Sequence, residues 1–320
     1  DEYSVALLWL GRAKRLNTSD LQSDRMNKSA IVVTDRRILP IQAGNHARIL
    51  GLLRGLRALG WRVSLIAPHE NESTEIGREV EHFFPLRAPS FSSGDVNRFD
   101  FRPYRRAVEY VAEKIKPAVA VAEYAWLAPA LRGLPRPILR IVDCHDVLHE
   151  RTRRFTDAQL DPWVQCTVAQ EHRLLKSADI LLAIQQREAA VLQRLLPTLQ
   201  VHCLLPYVDA GSNLDTTHMA RPVVLAVGAD HPGNAGIRTF AADIWPTLFP
   251  HRSDVLLRVI GSIARGIPPR PRVELTPYTE NLSECYRTAA VVVCPIEVGT
   301  GVKIKLLEAL RFGKAIVATP

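Results

Sequence analysis

The residues with the clearest chemical grouping lie near the end of the sequence, where Gly299-Thr300-Gly301 is followed by Lys303, Lys305 and Glu308. A glycine turn opening a helix offers free backbone N–H groups, and two ammonium groups beside it make a receptor for a phosphate or diphosphate. Lysine at a helix start works against the macrodipole, so its presence there asks for an anion. Three of the eight lysines fall between 303 and 314. Glu308 is one turn further on, where a carboxylate can accept hydrogen bonds from sugar or ribose hydroxyls. The alternative is a solvated basic helix end with a surface pair of Lys305 and Glu308.

Three other groups have suitable residue types. Gly44-Asn45-His46 opens a helix and suits close approach of a ligand; Asn45 as a plain N-cap is the competing reading. Asp143-Cys144-His145-Asp146 follows an apolar run, with Arg151, Arg153 and Arg154 behind it. His145 can hydrogen-bond a substrate hydroxyl, or simply pair with Asp143 or Asp146. No second ligand pair has metal spacing, so no metal site is expected. Gly228, within Val227-Gly228-Ala229-Asp230-His231-Pro232-Gly233-Asn234, opens a loop suited to a phosphate. That loop is not GxGxxG, and the run 255–261 ends without the acidic residue of a dinucleotide site, which weighs against NAD.

Those groups sit after short apolar runs that read as strands: 30–34, 63–67, 118–122, 138–142, 180–184 and 201–205, then 223–228, 255–261, 273–275, 290–294 and 315–319. Helical spacing predicts helices over 46–60, 104–116, 126–131, 157–177, 186–196, 236–249 and 280–289. A last helix carries Val302, Leu306, Leu307 and Leu310 on one apolar face and ends at Gly313. Residues 70–104 read as a strand and a long mobile loop. The alternation predicts an α/β protein with two doubly wound Rossmann-like domains, ligands binding at the carboxyl ends of strands. The expected division is 1–25 as leader, tag or preceding segment, 26–205 as the first domain, 206–222 as linker, and 223–320 as a second domain, incomplete.

The composition, 47% apolar and 23% charged, is that of a folded chain. A net charge of +8, mostly arginine, fits an anionic substrate or an acidic membrane surface. Nucleic acid is disfavoured, because the basic residues are dispersed and lack interleaved aromatics. Five scattered cysteines without a CxxC pair predict reduced, buried thiols and a cytoplasmic protein. No run reaches the length of a membrane span.

The HD pair after a strand and the stretch GTGVKIKLLEALRFGKAIVAT resemble retaining GT-B glycosyltransferases of group 1, glycosyltransferase family 4. GLLRGLRALGWRVSLIA, EHRLLKSADILLAIQQREAAVLQRLLP and VGADHPGNAGIRTFAADIWP extend the resemblance over roughly 30–320. It implies a second domain that binds a nucleoside-diphosphate sugar, a first domain that binds a glycan or lipid-linked acceptor, and chemistry in the cleft they face, without a metal or other cofactor. His145 would contact the donor sugar, Glu308 the ribose, and the Gly299-Thr300-Gly301 amides with Lys303 or Lys305 the diphosphate; Gly228 and Asn234 would line the donor site. Gly44, Asn45, His46 and Asp146 would face the acceptor side.

The sequence departs from the family twice. Relatives often carry two glutamates eight positions apart; here Thr300 stands at the first, with Glu297 nearby as the substitute candidate for the donor sugar. The loop GADHPGNAG lacks the Arg and Lys of many relatives, a role Lys303 and Lys305 are expected to take. A silent GT-B binding module, and a nucleotide-sugar epimerase or phosphorylase on the same fold, remain as alternatives. The arginines near 102–106 and 151–154 suit peripheral contact with an anionic membrane.

Overall fold

The computed structural model describes residues 28–41, 44–206, 221–248 and 251–319, so the expected leader and most of the expected linker lie outside the described residues. The described chain forms two compact units. One holds residues 28–153 and 162–206 with Thr300–Val302, and the other holds Arg154–Asp161, 221–299 and the residues from Lys303 onward.

The first unit is built on strands β1 (Ser29–Val33), β2 (Arg62–Pro68), β3 (His82–Leu86), β5 (Val119–Glu123), β6 (Leu139–Cys144), β8 (Ile180–Ala183) and β9 (Gln200–Cys203). They form one sheet in the order β3-β2-β1-β5-β6-β8-β9, with every pair parallel. β1 shows why: Ala30 and Val32 enter the core on one face while Ile31 and Val33 enter the core on the other. A strand apolar on both sides must be covered by helices on both sides. Those include α1 (Gly44–Ala58), α3 (Arg102–Ile115), α5 (Val168–Leu175) and α6 (Gln186–Leu195).

Three expectations are corrected here. Residues 70–104 contain α2 (Thr74–Glu79), started by the Ser73 hydroxyl accepting from Ile76 N–H. The remainder is anchored rather than mobile, because Phe91, Val96 and Phe99 are buried and a short strand β4 (Gly94–Asp95) pairs with β7 (Val164–Gln165). The single helix expected over 157–177 is instead α4 (Leu148–Asp157), then β7, then α5. Pro162 lacks the N–H a continuous helix would need there, and Gln159 and Trp163 take positive φ. The first turn of α4 is completed from another helix: Glu171 of α5 accepts from the Leu148 and His149 N–H groups, both at 2.9 Å.

The second unit has β10 (Val223–Val227), β11 (Leu256–Ile260), β12 (Val273–Thr276), β13 (Val291–Cys294) and β14 (Ala315–Ala318), parallel in the order β12-β11-β10-β13-β14. Its helices include α7 (Ala235–Thr239), α8 (Leu282–Thr288) and α9 (Ile304–Arg311). The helix expected over 236–249 is broken: α7 widens into a π turn at Phe240–Ile244 and tightens to a 3-10 turn at Trp245–Thr247, where Pro246 removes a backbone donor. The apolar face expected on α9 is also corrected, since Ala309 is its buried residue and Leu310 is 62% exposed. Gly313 does end that helix with a left-handed residue, φ +62°.

The five cysteines are free thiols; Cys144, Cys166 and Cys294 are buried, but Cys203 and Cys285 are only half-buried. In each sheet the strand order reverses once, between β1 and β5 and between β10 and β13. In open parallel sheets, ligands bind beyond the carboxyl ends of the strands at that reversal.

Candidate functional site

In the first unit, the end of β5 and the end of β6 lie side by side, with Glu123 paired in register with Asp143. β6 runs through Asp143 and Cys144, further than the sequence suggests, so Asp143 is a buried strand residue and not a loop one. His145 follows directly, and its Nε2 lies 2.6 Å from Glu123 Oε2. Asp143 Oδ2 is 3.8 Å away from the same nitrogen, so the expected Asp143 is an ion-pair neighbour of His145 while its hydrogen-bond partner is Glu123, which was not expected. Asp143 is held by Arg48 of α1, whose Nε and Nη2 lie 2.8 Å and 2.5 Å from its two oxygens. Arg48 Nη1 also donates to the Leu204 carbonyl. All four side chains are buried.

Tyr124 caps this group. Its ring stacks on the His145 ring at 3.9 Å and 16°, and its backbone holds φ +78°, a region non-glycine residues rarely occupy. Its amide donates to the Asp143 carbonyl at 2.9 Å, which ties the strained residue to β6. Asn45 hydrogen-bonds the Tyr124 hydroxyl. Because α1 already begins at Gly44, Asn45 lies inside the helix and is not its N-cap. His46 Nδ1 lies 3.4 Å from the Pro40 carbonyl.

Asp146 receives Arg151 at 3.1 Å and the Thr300 hydroxyl at 2.7 Å. Gly301 has φ +72°, which a side chain would strain, and its N–H donates to Glu188 Oε1 at 2.6 Å. An amide expected to hold a diphosphate therefore faces a carboxylate here.

Glu123, Asp143 and His145 also bring three potential metal-ligating atoms within 4.8 Å of one another, a spacing the sequence does not reveal. The guanidinium on both oxygens of Asp143 makes the group an internal charge network, since a dication would have to displace Arg48.

In the second unit, the loop after β10 is organised by its own side chains. His231 Nδ1 accepts from Gly233 N–H at 3.0 Å, and Asn234 Nδ2 donates to the Ala229 carbonyl at 2.9 Å. That leaves Asn234 Oδ1 aimed at Lys305 Nζ, 3.0 Å away. Burial pushes the Lys305 ammonium down to about 8, with the Lys303 charge adding to the effect. Lys303 is the N-cap of α9, one position before the helix and not in its first turn.

Glu308 accepts the Tyr286 hydroxyl at 2.7 Å, in place of a surface pair with Lys305. Burial raises the Glu308 carboxyl, and the Tyr286 bond opposes that rise. Phe312 lies parallel to Tyr286 at 5.5 Å and fixes its ring. Gly228 has a packing reason to be glycine, because a Cβ there would lie 2.6 Å from Ile237 Cδ1. The Gly299 carbonyl accepts from Arg154 at 3.0 Å, and Glu297 is exposed.

Comparison with known proteins places both halves of the chain in one family. The family described as glycosyl transferase 4-like domain matches residues 43–206, and that described as glycosyl transferases group 1 matches residues 221–320. This chain belongs to the group 1 glycosyltransferases.

The fold of this glycosyltransferase is GT-B. It is similar to sucrose-phosphate synthase from Thermosynechococcus elongatus, with a TM-score of 0.67 at 17% identity over 91% of this chain and 80% of that one. Anabaena HepE in complex with UDP-glucose gives 0.65 at 11% identity over 91% and 80%. WaaG, involved in lipopolysaccharide biosynthesis, gives 0.61 at 15% identity over 90% and 80%. No curated protein matches in sequence.

Reasoning from the glycosyltransferase sequence misses Arg48, Glu123, Tyr124, Glu188 and Tyr286. Glu123 had a usable signal, being a charged residue immediately after an apolar strand, as His145 is. Arg48 had none, because its partner is 95 residues away. Among the described residues no helix is long and apolar enough to cross a membrane. Several arginines proposed for membrane contact are matched internally: Arg102 with Asp100, Arg105 with Glu109, Arg151 with Asp146 and Arg153 with Glu150.

Proposed function

We propose that this glycosyltransferase moves a sugar from a nucleoside-diphosphate sugar to a glycan or glycolipid acceptor, with retention at the anomeric carbon, in assembly of a surface polysaccharide or glycoconjugate. The observation that carries it is Lys305. Its half-buried ammonium hydrogen-bonds the neutral amide of Asn234, and among the described residues no carboxylate pairs with it. A cation kept from water with only a neutral partner gains most from an arriving anion.

In this reading Lys303, Lys305 and the Gly299 turn receive the diphosphate, Glu308 receives the ribose, and Gly228 and Asn234 border the donor. No metal ion is assigned. His145 contacts the donor sugar, with Glu297 and Thr300 in the region where relatives place a glutamate. Gly44, Asn45, His46 and Asp146 belong to the acceptor side. As the sugar transfers, the bond from its anomeric carbon to the diphosphate oxygen breaks and a bond to the acceptor oxygen forms on the same face. The acceptor proton passes to the departing diphosphate. Preorganised cations at that oxygen lower the barrier because they meet charge as it develops. HepE, solved with UDP-glucose, supports a nucleotide-sugar donor, and WaaG supports a glycoconjugate acceptor.

Calorimetric titration with UDP, GDP, ADP and CMP tests it. We expect saturable binding of one diphosphate, weakened in Glu308→Ala, and a transferred sugar with the donor's anomeric configuration by NMR. Binding of none of them would favour a silent GT-B module; an inverted product would overturn retention.

A further inference from the structure

The buried group at the ends of β5 and β6 contains more carboxyl oxygens than donors to satisfy them. Asp143 has the Arg48 guanidinium on both oxygens. Glu123, fully buried beside it, meets His145 Nε2 through Oε2 at 2.6 Å and also interacts with the Asp143 carboxyl, while its Oε1 has no hydrogen-bond partner. A buried carboxylate accepts several hydrogen bonds, whereas a neutral carboxyl needs only a place to put its O–H. There is one guanidinium for two carboxyl groups, and it is committed to Asp143.

We propose that Glu123 and His145 form a proton-sharing dyad: the neutral Glu123 carboxyl donates to His145 Nε2 and fixes the tautomer whose other nitrogen, Nδ1, carries a proton. Glu123 is then a positioning residue, and Nδ1–H is the donor that His145 offers to a sugar hydroxyl. That last step rests on the glycosyl transfer proposed above; the dyad itself does not.

The surroundings agree. Burial pushes Glu123 up to about 8, against the pull of Arg48, and burial brings His145 down to about 4, against the pull of Asp143. Burial thus favours the uncharged form of each, and in the uncharged pair the one hydrogen bond needs one donor, which the carboxyl O–H supplies. The charged groups facing the pair are Asp143 and Arg48, then Asp146 just beyond β6 and Arg36 beyond β1. The Tyr124 ring, parallel to the imidazole at 3.9 Å, holds the plane in which the bond forms.

Ionisation has a defined outcome. When Glu123 loses its proton, the imidazole proton moves from Nδ1 to Nε2 to satisfy the carboxylate, and Nδ1 changes from donor to acceptor. The two groups titrate as a pair, so one alkaline step is expected.

Nitrogen-15 NMR of histidine-labelled protein tests this, with His145 assigned by loss of its signal in His145→Gln. The wild type should show the Nδ1–H tautomer at pH 6–7 and convert to Nε2–H above pH about 8. Glu123→Gln, whose amide N–H still donates to Nε2, should keep Nδ1–H throughout. An Nε2–H tautomer at pH 6–7 in the wild type overturns the dyad, and this measurement needs no variant at Glu123 to fold.

In turnover, kcat at saturating donor reports the bound complex, where a diphosphate keeps Lys305 charged. An alkaline fall in kcat that disappears in Glu123→Gln supports the positioning role, and one that persists overturns it. Failure of the wild type to transfer any sugar would count against the proposed function, while the wild-type spectrum would still decide the dyad.

Discussion

The two sheets present their strand ends in opposite electrostatic conditions. Beyond β5 and β6 the polar groups answer one another: Arg48 meets Asp143 in an ion pair, and Glu123 meets His145 in a hydrogen bond. Beyond β10 and β13, Lys305 meets an amide and Glu308 a phenol, so neither has an opposite charge as its hydrogen-bond partner. The first arrangement fixes the orientation of a side chain; the second leaves binding energy for an incoming group. Removing a cation should thus destabilise one unit and weaken binding in the other.

The largest expected effect is on the closed network. Arg48→Ala leaves Asp143 buried and unpaired, a loss of about 3–5 kcal/mol in the first unit's unfolding free energy by denaturant titration. Arg48→Met combined with Asp143→Leu should recover most of it, since a buried pair can be replaced by apolar groups at little cost. If Arg48→Ala alone is neutral, the contrast between the units fails.

Lys305→Met should weaken diphosphate binding roughly 10–100-fold, the worth of one charge-assisted hydrogen bond, without lowering the melting temperature at pH 7. The sign follows from the ammonium being depressed from 10.5 to about 8. Its favourable contribution to folding is complete above 10.5 and is lost as pH falls through 8, so at pH 7 the buried charge opposes folding. Binding has the reverse dependence: diphosphate affinity in the wild type should fall as pH rises past about 8, a trend absent from Lys305→Met. Smallest is Tyr286→Phe, which removes one hydrogen bond to Glu308 and should raise the KM for donor several-fold, about 1 kcal/mol.

Most strands were legible because they are runs of β-branched or small apolar residues, as in AIVV and VVVC, whereas β4 (GD) and β7 (VQ) carry no such signal. α2 and α4 were not. Their sequences, TEIGRE and LHERTRRFTD, give almost no apolar stripe, and they form because of a cap and of contacts made elsewhere in the chain. His145, Lys305 and Glu308 could be singled out because strand ends and helix starts are local signals. Whom they would touch could not, since Tyr286 lies 22 residues from Glu308 and Asn234 lies 71 from Lys305. The glycines divided similarly: Gly313 has a local reason in its φ, whereas Gly228 is small because Ile237 presses on it.

The carboxylate of Glu171 on the first turn of α4 has a kinetic meaning. An isolated helix nucleates poorly, and this one is short and polar. Its N–H groups at Leu148 and His149 find their acceptor only after α5 has packed, 23 and 22 residues later in the chain. The segment that follows His145 should accordingly be among the last parts of the first unit to order, and its first-turn amides should exchange with solvent when α5 detaches.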